Sequence, residues 1–208
     1  MINDKPVLCT TKEALLELNI PTEGSHIISI PLEKVQNLPY HFISQDIVDL
    51  DITVGEHYPQ IVPYVVLTTV NEFLTYYKSD NVGEQNRSIG FGTHITYDDQ
   101  KSSLTKTMID AVVKDLKRKL DYDTVDELTF PEEVFVLVKN DHQTSRMHLG
   151  ILLALEVKID EVFLDDSIAG IKWQTLDRLV SNIDEYQPWS QLIIRTFEDL
   201  QNNPNKTL

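Results

Sequence analysis

The sequence predicts an α/β fold in which strands and helices share one core. Three observations predict it. Residues 61–70, 134–138 and 149–157 are β-rich runs, residues 104–120 carry a helical hydrophobic period, and the composition is able to fill a core. Of 208 residues, 41% are hydrophobic and 25% charged, so the chain lacks the apolar poverty of a disordered one. That length favours one domain, 26–200, with an N-terminal extension holding a short helix, 1–25, and a flexible tail, 201–208.

Taken in order, Thr10-Thr11-Lys12-Glu13 ahead of Ala14, Leu15, Leu16 and Leu18 has the form of a capping box, in which Thr10 and Glu13 satisfy free amides reciprocally. Pro21 and Gly24 end that helix. Residues 27–30 are a β-branched run between Gly24 and Pro31 and predict a strand. The prolines at 31, 39 and 59 predict irregular connections over 31–60, around at most one short element. Residues 61–70 and 73–77, with Asn71-Glu72 between them, predict a hairpin. After a polar loop comes 88–95, whose glycines at 90 and 92 suit a strand with close backbone approach.

The clearest helix is 104–120, where Leu104, Met108, Ile109, Val112, Val113, Leu116 and Leu120 form one apolar stripe. Strands follow at 134–138 and 149–157, joined by a polar loop over 139–146. Two further helices are predicted at 176–183 and 190–200.

Charge and cysteine usage narrow the function classes. The formal net charge is -15, from 33 acidic and 18 basic residues, which opposes general binding to a phosphate backbone. An acidic surface keeps a protein soluble, or offers a face to a basic protein partner. No apolar run approaches the roughly 20 residues that cross a bilayer, so no membrane association is expected. The single cysteine, Cys9, forms no internal disulfide and has no histidine or basic neighbour in sequence to activate it. With an N-terminus unlike a signal peptide, the expected compartment is the cytoplasm.

Specific residues take the α/β sketch further. Ile61-Val-Pro-Tyr-Val-Val-Leu, Gly83-Glu84, Arg87-Ser-Ile-Gly-Phe-Gly-Thr-His-Ile95, His148-Leu-Gly-Ile151, Trp173 and Tyr186-Gln-Pro-Trp-Ser-Gln191 occur in that order. In order and spacing this set resembles a phosphoesterase branch of the Nudix family, over residues 57–200 with a fainter echo at 26–42. The resemblance implies an α/β/α sandwich with a mixed β-sheet between helices. It also implies a loop-helix-loop box that binds divalent metal and cleaves a nucleoside diphosphate linked to another group.

The family's box helix carries Arg-Glu-hydrophobic-x-Glu-Glu, because glutamates one helical turn apart share a face and hold Mg²⁺ or Mn²⁺ against a pyrophosphate. Here Thr93 falls where the box glycine belongs, and Asp99 at the acidic position after it. Ala111-Val-Val-Lys-Asp-Leu-Lys-Arg-Lys matches the helix, with Lys114 and Asp115 in place of Arg-Glu. Arg118 and Lys119 stand where the metal-binding glutamates should be. A cation has no lone pair to give a metal, and at 4 Å and an effective dielectric constant of about 20 each unit charge interacts by about 4 kcal/mol, doubled for a divalent ion. Glu132-Glu133, after Pro131 at a strand start, do not replace the box.

The resemblance, with these departures, therefore implies a Nudix-type chain lacking the standard metal-binding glutamates, a catalytically impaired protein that binds a nucleotide or other phosphate ligand, with no cofactor expected. Glu84, Arg87, His94, Lys114, Arg118 and Lys119 are the candidate ligand-binding residues, since cations beside a pocket neutralise phosphates directly; alternatively Arg118 and Lys119 are solvated surface charges. If the chain is instead an active phosphohydrolase, Asp115 and Asp99 are the catalytic candidates. Asp98, Asp99 and Asp115 would then hold Mg²⁺ or Mn²⁺, although short carboxylates more often cap turns and helices. A third reading is an acidic interaction or inhibitor module with a protein partner. His94 and His148 lie on predicted strands as core or hydrogen-bonded residues, Trp173 and Trp189 are packing anchors, and a homodimer is expected only from the resemblance.

Overall fold

The computed structural model describes residues 5–78, 86–120, 128, 130–140, 148–157 and 168–203. Its strands are β1 (Pro6–Cys9), β2 (Gly24–Pro31), β3 (His41–Ser44), β4 (Gln60–Thr68), β5 (Phe73–Lys78), β6 (Gly90–Gly92), β7 (Glu133–Asn140), β8 (His148–Glu156) and β9 (Ile168–Gln174). Its helices are α1 (Lys12–Glu17), α2 (Leu32–Gln36), α3 (Gln45–Leu50), α4 (Ile52–His57), α5 (Leu104–Leu120), α6 (Leu176–Ser181) and α7 (Pro188–Asn202). The strands are hydrogen-bonded in the order β2-β7-β8-β4-β1-β3, with β5 and β6 on β4 and β9 on β5. No described helix is long and apolar enough to cross a membrane. The chain divides into two compact units, and β4, α5 and β8 contribute residues to both.

The first unit comprises Met1–Tyr64, Gly92–Val112 and Thr129–Leu152. In it β1 lies antiparallel to β3 and meets β4 at Cys9 opposite Gln60, while β2 runs antiparallel to β7 from Gly24 opposite Asn140 to Pro31 opposite Glu133. Its core gathers Leu8, Leu15, Ile30, Val35, Ile61, Met108, Val136 and Ile151. Each such side chain contributes about 1.5–3 kcal/mol by leaving water.

Two local expectations are corrected here. The cap of α1 is Thr11, whose hydroxyl accepts from the Ala14 amide, because the Thr10 hydroxyl is used at long range and donates to the Pro39 carbonyl at 2.8 Å. Residues 31–60 hold α2, β3, α3 and α4 rather than irregular connections around at most one element. Helices of one or two turns show no hydrophobic period: α2 buries only Val35 and α3 only Val48. Asp51 starts α4 by accepting from the amides of Thr53 and Val54.

The second unit comprises Val65–Phe91, Val113–Leu128 and Leu153–Leu208. The hairpin expected after residue 61 is present, with Thr68 opposite Phe73. Strand β5 then pairs with β9, from Phe73 opposite Gln174 to Lys78 opposite Ile168, and the register shifts between Thr75 and Tyr77. Pro188 occupies the first turn of α7, where its missing N–H costs nothing, and Ile193 and Ile194 face inward.

The strand expected over 88–95 shrinks to β6. Ser88 instead bridges Tyr76, and its hydroxyl donates to the Gly90 carbonyl, turning the chain locally. The expected helix over 104–120 matches α5, and those at 176–183 and 190–200 match α6 and α7 within a few residues. Most of the expected loop at 139–146 and the end of the tail, 204–208, lie outside the described residues.

Candidate functional site

The last turns of α5 bring three sequence candidates onto one face, because residues three and four apart on a helix are neighbours. Asp115 is 9% exposed. Its Oδ1 accepts from Arg118 Nη2 at 2.7 Å and its Oδ2 from Lys119 Nζ at 2.6 Å. The two cations differ in setting: the Arg118 side chain is 73% exposed and that of Lys119 only 21%. Lys119 Nζ also lies 5.6 Å from the centroid of the Phe91 ring, within cation–π range. Phe91 is stacked on Tyr76 at 4.5 Å, and the Tyr76 hydroxyl donates to the Gly90 carbonyl at 2.7 Å, so the platform under the lysine is itself fixed.

Both oxygens of Asp115 thus face tethered cations from the same helix. Mg²⁺ and Mn²⁺ require several oxygen donors with accessible lone pairs. A divalent ion at Asp115 would have to displace both ion pairs and would then stand beside two positive side chains. These residues do not fit such an ion. Among the described residues there is no group of three or more His, Cys, Asp or Glu side chains placed to hold a metal.

The remaining candidates divide between the two units. Asp99 Oδ2 accepts from the amide and hydroxyl of Thr96, both at 2.9 Å, and closes a 3-10 turn over Tyr97–Asp99. Asp98 and His94 are exposed and His148 is half-buried. Asp98, Asp99, His94 and His148 belong to the first unit, whereas Lys114, Asp115, Arg118, Lys119 and Arg87 belong to the second. Lys114 is exposed. Glu84 lies outside the described residues. Trp173 lies on β9 opposite Leu74 and is half-buried, as is Trp189 on α7.

Arg87 forms a separate centre in the second unit. It is 4% exposed, and its Nη1 donates to Thr75 Oγ1 at 3.0 Å and to the Gly170 carbonyl at 2.9 Å. Its guanidinium carbon sits 4.1 Å from the centroid of the Tyr77 ring. The backbone clamps it as well: the Arg87 amide donates to the Glu185 carbonyl and its carbonyl accepts from the Gln187 amide. Gly170 has φ +60°, and a Cβ there would meet Tyr77 Cδ2 at 2.6 Å, so only glycine lets β9 come this close.

A cleft of about 670 Å³ opens beside this centre, lined by Tyr77, Arg87, Lys172, Asn182, Asp184 and Glu185 among others. Apart from Arg87, none of these was singled out from sequence. Only a prediction of β9 could have brought Gly170 and Lys172 to Arg87, and residues 168–174 alternate poorly.

Two buried groups stay protonated and chemically quiet. The Cys9 thiol is pushed up to about 12 by burial, helped by the charge of Asp49, which leaves it a poor nucleophile. The Tyr186 phenol is likewise raised to about 12 by burial; the Arg87 charge opposes this and the Glu185 charge adds to it.

No protein-family profile matches the sequence, and no curated protein matches it. Solved structures do. Tm1382, a candidate Nudix hydrolase, superposes with a TM-score of 0.73 at 20% identity over 94% of this chain and 100% of its own. A MutT protein from Methanosarcina mazei Go1 gives 0.46 at 15% identity over 70% of this chain and 95% of its own. A NUDIX hydrolase from Nitrosomonas europaea gives 0.46 at 12% identity over 72% and 93%. The likeness to Tm1382 shows the class: this chain has a Nudix-type α/β fold with a mixed sheet and helices.

Proposed function

We propose that this is a Nudix-fold protein without standard hydrolase activity, which binds a nucleotide or another phosphate-containing ligand. The observation that carries the reading is the double ion pair on Asp115, at the positions where the resemblance aligns the metal-binding carboxylates. In that arrangement the helix supplies its own cations where a hydrolase of this fold would recruit a metal. Ammonium and guanidinium groups neutralise a phosphate but do not generate metal-bound hydroxide. Lys119, held on the Phe91 ring and only partly exposed, is the cation best placed to stay ordered.

The test is product analysis with purified protein, Mg²⁺ or Mn²⁺, and a panel of NAD, ADP-ribose, dinucleoside polyphosphates and nucleoside triphosphates. The expected result is no metal-dependent product, together with ligand-induced thermal stabilisation that weakens in Lys119→Gln. Metal-dependent turnover that disappears in Asp115→Ala overturns the proposal in favour of an active, atypical phosphohydrolase. Absence of both turnover and stabilisation overturns it in favour of a protein-interaction module.

A further inference from the structure

The cleft beside Arg87 carries a charge pattern that the Asp115 cluster does not explain. Arg87 Nε is buried and has no hydrogen-bond partner among the described residues. The acid facing it, Glu185 Oε2, is 4.0 Å away, beyond hydrogen-bond reach, and the Glu185 side chain is 56% exposed. Because Nη1 is tied to Thr75 and Gly170 and the plane lies on Tyr77, the guanidinium cannot turn to find another acceptor. A buried charged donor without an acceptor is costly, so an incoming oxygen at Nε gains more than a surface anion site offers.

The rest of the lining divides into two signs. Lys172, on the exposed face of β9, is a second cation, and Asp184 and Glu185 are two carboxylates. Two of the neutral donors are already used: Ser181 Oγ donates to the Asp177 carbonyl and Asn182 Nδ2 to the Arg178 carbonyl. A simple anion would be drawn to Arg87 and Lys172 but repelled by the acids, and a simple cation would meet the reverse. A molecule carrying both charges a few ångströms apart satisfies both walls.

We propose that this cleft binds a compact zwitterion, whose anionic group replaces Glu185 at Arg87 Nε and whose ammonium is held by Asp184 and the displaced Glu185. The ligand class is a phosphorylated or carboxylated amine. This site is independent of the Asp115 cluster, and neither proposal requires the other.

The experiment is a titration of the full ¹⁵N-labelled chain, following the Arg87 Nε–H resonance, which is assigned by its loss in Arg87→Lys. O-phosphoethanolamine and β-alanine are the zwitterionic probes and distinguish phosphate from carboxylate; inorganic phosphate and ethanolamine are the single-charge controls. The expected result is a saturable shift with one zwitterion at a concentration about tenfold below either control. Lys172→Gln and Asp184→Asn, both at exposed positions, should each weaken it several-fold without altering the rest of the spectrum, and Lys119→Gln should leave it unchanged. The proposal is overturned if neither zwitterion gives a saturable shift by roughly 10 mM, a free energy of only about 3 kcal/mol. It is also overturned if inorganic phosphate binds as tightly as the zwitterion, or if both variants bind like the parent.

Discussion

Asp115 and Arg87 are both buried charges in the second unit, but they are held in opposite ways. Asp115 is closed by residues three and four positions along its own helix, and each of its oxygens has a cation at hydrogen-bond distance. Arg87 is closed by segments distant in sequence, namely Thr75, Gly170 and Tyr77, and one of its nitrogens is buried without a hydrogen-bond partner among the described residues, in a side chain that lines a cleft. A charge whose two oxygens are met within its own helix depends less on distant segments, and it is its cations rather than its oxygens that a ligand can meet. A charge held by distant segments couples them, and an unmatched donor beside a cavity is available for recognition.

The comparison breaks most sharply at Arg87 itself. Arg87→Ala removes two hydrogen bonds and the packing on Tyr77, although Thr75 Oγ1 keeps its bond from Gln174 Nε2. Its expected cost is about 3 kcal/mol in urea unfolding, the scale of losing charge-assisted hydrogen bonds made by a buried side chain. Arg87→Lys keeps the charge but loses the planar fork, and should recover only part of that loss. A cost below about 1 kcal/mol, the level of an ordinary surface substitution, would mean that Arg87 does not couple these segments.

Gly170 tests the same coupling from the other strand. With φ at +60° and the Tyr77 ring 2.6 Å from a prospective Cβ, Gly170→Ala adds a steric clash to a left-handed backbone cost of about 1–2 kcal/mol. The total should exceed about 2 kcal/mol, and the Tyr77→Ala background should remove the clash while leaving the backbone part. Gly24, at φ +73°, supplies the control: a Cβ there meets only the end of the exposed His26 side chain, at 3.2 Å, so Gly24→Ala should cost the backbone part alone. Equal losses at the two glycines would show that Tyr77 yields freely and that the Arg87 centre is less rigid than its contacts indicate.

These two centres also differ in what the sequence discloses. The Asp115 cluster was legible because α5 has 17 residues, with enough turns for Leu104, Met108, Val112 and Leu116 to define a stripe and hence the relative positions of 115, 118 and 119. That spacing puts the three residues together but does not fix the side chains, so the ion pairs themselves were not predictable. The hairpin of β4 and β5 was legible for a similar reason: β4 is buried almost throughout and reads as an unbroken apolar run.

The Arg87 cleft was not legible. Gly170 lies 83 positions from Arg87, and β9 carries neither the alternation nor the apolar run that announces a strand. The short elements between residues 31 and 60 escaped because single-turn helices are set by tertiary contacts rather than by their own period. Thr10 and Thr11 show the limit at one residue: both can cap, and only the reach of Thr10 to Pro39 decides which one does.

The smallest effects fall within the Asp115 cluster and sharpen the comparison by ranking its two cations. Removing Lys119 takes away a partly buried ion pair and a contact with Phe91, so Lys119→Met should cost about 1 kcal/mol, and more than a purely exposed pair would. Arg118 makes an equally short bond, but its side chain is mostly in water, where screening and the entropy of holding a long side chain cancel most of the gain. Arg118→Ala should therefore change stability by no more than about 0.5 kcal/mol, and raising the salt concentration should remove even that difference. If the order is reversed, with Arg118 costing more than Lys119, then the exposed arginine, and not the lysine on its aromatic platform, is the cation that keeps this cluster in order.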